Sequence, residues 1–244
     1  MHIPAVFAVP GGPDGGLVVM RPVDGTALPS DGIACGFREA TSGIPRGDAR
    51  GAVAIVDRDS ICRGTFTEGV VKNMRVRGMD TWFMTCIADA DDLMDAFNTT
   101  ADMVMGPVHL AAGDGALADI LSVSDSFIPV IMTGNGRRTD IWAELSRLER
   151  IGFYRMCVMD ADGSVDAGTW LDIRDSYPST VPFVPCGSCA SDAGFGDLIS
   201  PLTFRGRFRR SGPRPPGSLR FRACPFRTPP AAPATPCRSW PRTP

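Results

Sequence analysis

Short apolar runs, each closed by Gly, Asp or a small polar residue, recur along the chain with helix-like stretches between them. They are Ala52–Asp57, Trp82–Cys86, Ala101–Gly106, Phe127–Gly134, Tyr154–Asp160 and Val181–Gly187. Unbroken apolar runs of this length read as strands buried on both faces. A repeat of roughly 20 to 30 residues leaves room for one crossover helix between parallel neighbours. The pattern predicts an α/β fold, a (β/α)8 barrel of the TIM type, whose site is built by residues at the carboxyl ends of the strands. The apolar opening from Met1 to Gly12 reads as the first strand.

Helical periodicity is clearest in three connections. Thr67–Val76 places Val70, Val71 and Met74 on one face, with Thr67 as a cap. Asp89–Phe97 begins with acids suited to a helix N-terminus and aligns Leu93, Met94 and Phe97. Thr139–Leu148 aligns Ile141, Trp142, Leu145 and Leu148. The Met and Trp side chains of these faces are read as core. Between Pro10 and Arg50, Gly, Pro and Asp interrupt every run, and no first helix can be drawn.

Length agrees with the pattern, since 244 residues match one such barrel of about 250. Apolar residues make up 43% of the chain, ordinary for a soluble protein. No apolar run approaches the roughly 20 residues of a membrane span. The amino terminus lacks the basic segment and small-residue cleavage pattern of an export signal, so a cytoplasmic protein without membrane contact is expected. Eight cysteines would suggest a disulfide framework in a short secreted chain. Here Cys62, Cys86, Cys157 and Cys186 lie in or beside apolar runs and read as reduced, buried thiols. Cys186-Gly-Ser-Cys189 has the spacing of a redox or metal pair, but there is no second such pair, and His2 and His109 are the only histidines. A structural zinc site takes four ligands, so no metal and no cofactor are expected.

Charge divides the chain. Residues 204–244 hold ten Arg, ten Pro and no Asp, Glu or Lys, whereas residues 1–203 hold 15 basic and 27 acidic side chains, a net of −12. A basic, Pro-rich arm suits nucleic acid or an acidic partner. The same composition is what a GC-rich gene encodes when read out of frame, and 24 Arg against the single Lys72 point to such a gene. The frameshift is the reading preferred here, with nucleic-acid binding set aside. The expected organisation is therefore a barrel over 1–203 and a disordered tail over 204–244. Because nothing from Arg205 onward forms an apolar run, the barrel is expected to lack its last βα unit; a further alternative is a frameshifted product that does not close, with the edges of the first and seventh strands unpaired.

Taken in order, the strand ends resemble those of the HisA/HisF-type histidine-biosynthesis barrels, the family of the phosphoribosylformimino-aminoimidazole-carboxamide ribotide isomerase. Met1-His-Ile-Pro-Ala-Val resembles the opening strand, and Val56-Asp57-Arg58-Asp59 is similar to the second-strand Val-Asp-Leu-Asp. Ile87-Ala-Asp-Ala-Asp-Asp-Leu and Thr100-Ala-Asp-Met-Val-Met-Gly106 resemble the third-unit helix start and the fourth strand. Asp162-Gly163-Ser164, shortly before Gly168, looks like the Asp-Gly-Thr loop after the sixth strand. Val181–Ser188 is similar to the seventh-strand Pro-Val-x-x-Ser-Gly-Gly. The likeness covers roughly residues 1 to 198.

The resemblance implies an aldose–ketose isomerase that performs an Amadori-type rearrangement on a phosphoribosyl compound, with one general acid and one general base on opposite sides of the substrate. The family takes them from Asp residues ending the first and fifth strands. In this chain Phe7 stands at the first position and Ile131-Met132-Thr133 at the fifth, and neither Phe nor Met can move a proton. The carboxylates left at the strand ends are Asp57, Asp59, Asp160 and Asp162. Asp57, Asp59 and Asp162 are the candidate catalytic residues. All four side chains could instead cap helices and fix turns. Gly106, Gly163, Gly187 and Ser188 are the candidate phosphate-binding positions, because Gly allows the backbone to approach an anion closely. His109, just past the fourth strand, is the one histidine able to face the site; the alternative is a solvated loop residue. Two functions remain open at this point: an isomerase of the family type, or a repurposed barrel that binds a small phosphorylated ligand without turnover. Oligomeric state is not legible in the sequence.

Overall fold

Alternation along the strands builds two cores. The structure, a computed structural model, describes residues 1–10, 17–22, 27, 32–35, 41, 51–66, 78–134, 136–137 and 139–202. Strand β1 (His2–Pro10) sends Ile3, Ala5 and Phe7 to one buried cluster and Val6 and Ala8 to the other. The same parity holds in β4 (Gly51–Asp57), where Ala52, Ala54 and Val56 share the first cluster and Val53 and Ile55 the second. It continues through β5 (Met79–Met84), β6 (Met103–Pro107), β7 (Phe127–Thr133), β8 (Cys157–Asp160) and β9 (Val181–Phe183). The first cluster fills the barrel, with Trp82, Met84, Met105, Met132, Met159 and Phe183 supplying its bulk. The second lies between strands and helices. A strand buried on both faces needs apolar residues at both parities, which is why these runs show no alternation in sequence.

Parallel pairing runs β1–β4–β5–β6–β7–β8–β9–β10 and returns from β10 (Leu198–Pro201) to β1. The ring therefore closes as an eight-stranded parallel α/β barrel. This corrects the expectation of a missing last strand with two unpaired edges. His2 to Ala5 pair with Leu198 to Pro201, and Ile199 lies beside Phe183 of β9. The eighth strand escapes a hydrophobic reading because it has four residues, of which only Ile199 and Pro201 fall on the interior parity. Its Ser200 instead hydrogen-bonds the His2 ring, 2.7 Å from Nε2. A 3-10 turn, Cys189–Asp192, stands in the connection from β9 to β10.

The described helices are α1 (Arg58–Arg63), α2 (Ala90–Asn98), α3 (Asp114–Val123), α4 (Ile141–Ile151) and α5 (Ala167–Ser176). Leu93, Leu117 and Leu145 are fully buried against the strands, each burial contributing roughly 1.5–3 kcal/mol. Two side chains expected in the core face outward instead: Met94 is 51% and Trp142 39% exposed. The helix turns about 100° per residue, so with Leu93 and Leu145 facing inward their neighbours are carried off the apolar stripe. Trp142 packs on Tyr177 with ring centres 6.3 Å apart. The helix expected over Thr67–Val76 and the tail 204–244 lie outside the described residues. Between Pro10 and Arg50 the described residues include two antiparallel strands, β2 (Leu17–Pro22) and β3 (Gly32–Cys35), added to the rim end of β1 through Phe7 to Pro10. Cys86 and Cys157 are buried free thiols, and burial raises the Cys86 pKa to about 11. Cys62, expected as a reduced thiol, is disulfide-bonded, and Cys186, expected buried, is exposed.

Candidate functional site

The carboxyl-terminal rim is where an α/β barrel places its chemistry, and strand parity decides which side chains face into it. Phe7 and Met132 fall on the interior parity of β1 and β7, and both are buried. Asp57 and Asp160 follow Val56 and Met159, two interior residues, and therefore fall on the helix-facing parity of their strands.

Asp57 is the N-cap of α1. Its Oδ1 accepts the Ser60 amide at 3.1 Å and its Oδ2 the Ser60 hydroxyl at 2.7 Å, and the residue is fully buried. Burial pushes its pKa above the usual carboxylate range, with the Ser60 bonds pulling the other way. Asp89, Asp140 and Asp166 cap α2, α4 and α5 in the same manner. Asp57 thus belongs to a series of acids satisfying orphan amides at helix starts. Asp59 lies in the first turn of α1, where its carboxylate meets Arg63 Nε at 3.0 Å.

Asp160 is the most heavily bonded of the four. Its Oδ1 accepts the amides of Gly163 and Ser164 and its Oδ2 that of Val165, each at 3.0 Å. It is fully buried, and burial raises its pKa against those bonds. Asp162 is exposed, accepts the Ser164 amide at 3.2 Å, and lies directly on the end of β7. A Cβ at Gly134 would stand 2.4 Å from its Oδ1, so only glycine fits there, at a φ of 85°. Asp57 and Asp59 belong to β4 and α1, while Asp162 follows β8, four strands away in a ring of eight. The three candidate catalytic residues are thus on opposite sides of the rim.

The glycines divide by what surrounds them. Gly106 is buried, and a Cβ there would meet the Phe127 ring at 3.0 Å and Ile87 at 3.1 Å, which makes it a packing glycine. Gly163 adopts a φ of 78° and donates its amide to Asp160. Ser188 donates its amide to Pro185 and caps the 3-10 turn through its hydroxyl. Gly187 is exposed, with a φ of 80° and open space where a Cβ would be. Of the four phosphate candidates it alone keeps backbone facing open space. Cys186 and Cys189 form no disulfide: their sulfurs reach the carbonyls of Pro201 and Val165.

Besides His109, which the sequence singles out, the rim holds two residues that it does not, Arg137 and Ala27. His109, half-buried after β6, has its pKa lowered to about 4 by burial and by the positive charge of Arg137. Arg137 is half-buried too, in a turn whose Gly134 carbonyl accepts its amide at 3.0 Å. Ala27, fully buried, joins the interior cluster and donates its amide to the Ala161 carbonyl at 3.0 Å. A residue that follows β2 in the chain thereby reaches the end of β8.

Among the described residues no three His, Cys, Asp or Glu side chains gather as a metal site, and no helix is long and apolar enough to cross a membrane. The rim can therefore offer an apolar floor, a neutral imidazole beside a guanidinium, and one open glycine turn. Compared with known proteins, the chain matches no family model and no curated sequence.

Proposed function

We propose that this chain is a barrel of the HisA/HisF type that holds a small phosphorylated ligand at its carboxyl-terminal rim without isomerising it. The observation that carries the reading is the pair Phe7 and Met132, which occupy the interior-facing positions where the family places its acid and base. Aldose–ketose isomerisation needs a proton donor and a proton acceptor within hydrogen-bond reach of the reacting carbons, and neither side chain titrates. Asp57 and Asp160 do not replace them, since both are buried on the helix side with their oxygens already bonded. Anion binding is favoured by the Arg137 guanidinium beside His109 and by the open backbone at Gly187.

The test uses the full chain and the phosphoribosylformimino-aminoimidazole-carboxamide ribotide. Titration calorimetry is expected to show saturable binding, while product analysis shows no ketose. Ketose formation that disappears in Asp57→Asn would establish an isomerase in its place. Absence of any binding would remove the ligand from the proposal.

A further inference from the structure

The opposite end of the barrel contains a cavity of about 330 Å³, lined by Tyr154, Arg155, Ser179, Thr180, Val181 and Asp197 among others. These residues come from the segments leading into β8, β9 and β10, so the cavity lies at the amino-terminal end, a barrel's length from the rim.

Arg155 is held there in a fixed pose. Its guanidinium lies over the Trp82 ring, 4.7 Å from the centroid, and its Nη2 donates to Asp197 Oδ2 at 2.7 Å. Stacking uses the face of the guanidinium and leaves its edge for in-plane hydrogen bonds. Among the described residues, Nε and Nη1 make none. The other oxygen of Asp197, Oδ1, lies 3.3 Å from the Met1 nitrogen and so points away from Arg155. Beside them Thr180 is only 2% exposed, and among the described residues its Oγ1 has no hydrogen-bond partner. Buried hydroxyls usually find a partner in protein, water or ligand; Thr81 and Thr85 share this state, and Thr180 is the one that lines this cavity.

We propose that this cavity binds a small monocarboxylate, its two oxygens across the open edge of Arg155 and a further polar atom against the Thr180 hydroxyl. The planar guanidinium fork matches a carboxylate, and the volume falls in the range of small-molecule sites. Nothing in the proposal draws on the rim, so it stands or falls separately from the function proposed above.

Sodium lactate, which carries both a carboxylate and a hydroxyl, is the probe, titrated into the full chain by calorimetry with inorganic phosphate as competitor. One saturable site is expected. Arg155→Lys keeps the charge but loses the fork and should weaken binding about tenfold or more. Thr180→Val removes a hydroxyl that bonds nothing, so it should fold at least as well as the parent while binding lactate several-fold more weakly. It therefore decides the matter even if Arg155→Lys is unstable. The proposal is overturned by absence of saturable lactate binding, by unchanged affinity in Thr180→Val, or by phosphate displacing lactate at equal concentration.

Discussion

The two ends of this barrel treat their charged groups in opposite ways. At the carboxyl-terminal rim, Asp57 and Asp160 are bonded to backbone amides and a hydroxyl, and the interior-facing positions carry Phe7 and Met132. At the amino-terminal end, Arg155 lies on Trp82 with part of its hydrogen-bonding edge unused above a cavity. A titratable residue at a strand end is thus no measure of reactivity. What matters is whether strand parity turns it toward the interior and whether its oxygens or nitrogens are already committed.

The sharpest way to break this contrast is to put a carboxylate back where the rim is apolar. Phe7→Asp would bury an unpaired charge and remove a fully buried ring, at an expected cost of about 5 kcal/mol or more. Urea unfolding measures it. A loss below about 1 kcal/mol would mean that the rim holds water and polar partners, and the comparison of the two ends would dissolve.

A smaller effect concerns His109. Its folded-state pKa, about 4, lies below the ordinary 6.5, so the unfolded chain takes up a proton first as the pH falls. Stability should therefore decline between about pH 6.5 and 4, by up to about 3 kcal/mol. Asp57 and Asp160 act in the other direction. Their pKa values are raised by burial, so the stability they contribute is greatest at low pH and is lost as pH rises through the folded-state values. His109→Gln should consequently lose the acid-side decline while keeping the opposing trend. Parallel stability profiles for the variant and its parent would show that the imidazole is not held neutral beside Arg137.

Much of the barrel was legible because burial on both faces leaves a plain mark, an unbroken apolar run such as Phe127–Thr133. The eighth strand left none, since Leu198–Pro201 closes the ring largely through backbone pairing and has only Ile199 and Pro201 on the interior parity. The β2–β3 ribbon was hidden by the Gly, Pro and Asp residues of its surroundings. In the site, the apolar character of Phe7 and Met132 could be read directly, and so could the capping alternative for Asp57. Counting alternate residues along Ala52, Ala54 and Val56 already sends Asp57 to the helix side. The approach of Asp162 to Gly134, the nearness of the Arg137 charge to His109 and the arrival of Ala27 at Ala161 depend on where separate loops meet. Local sequence carries no record of such meetings.

The central claim, that the rim carboxylates are structural, is tested most directly by comparing the unfolding free energies of Asp160→Ala and Asp59→Ala at neutral pH. Asp160 serves three amides in a buried setting, whereas Asp59 meets only Arg63, an exposed partner. The account predicts a loss of about 3 kcal/mol for Asp160→Ala and less than about 0.5 kcal/mol for Asp59→Ala. Equal, small losses in the two variants would contradict it.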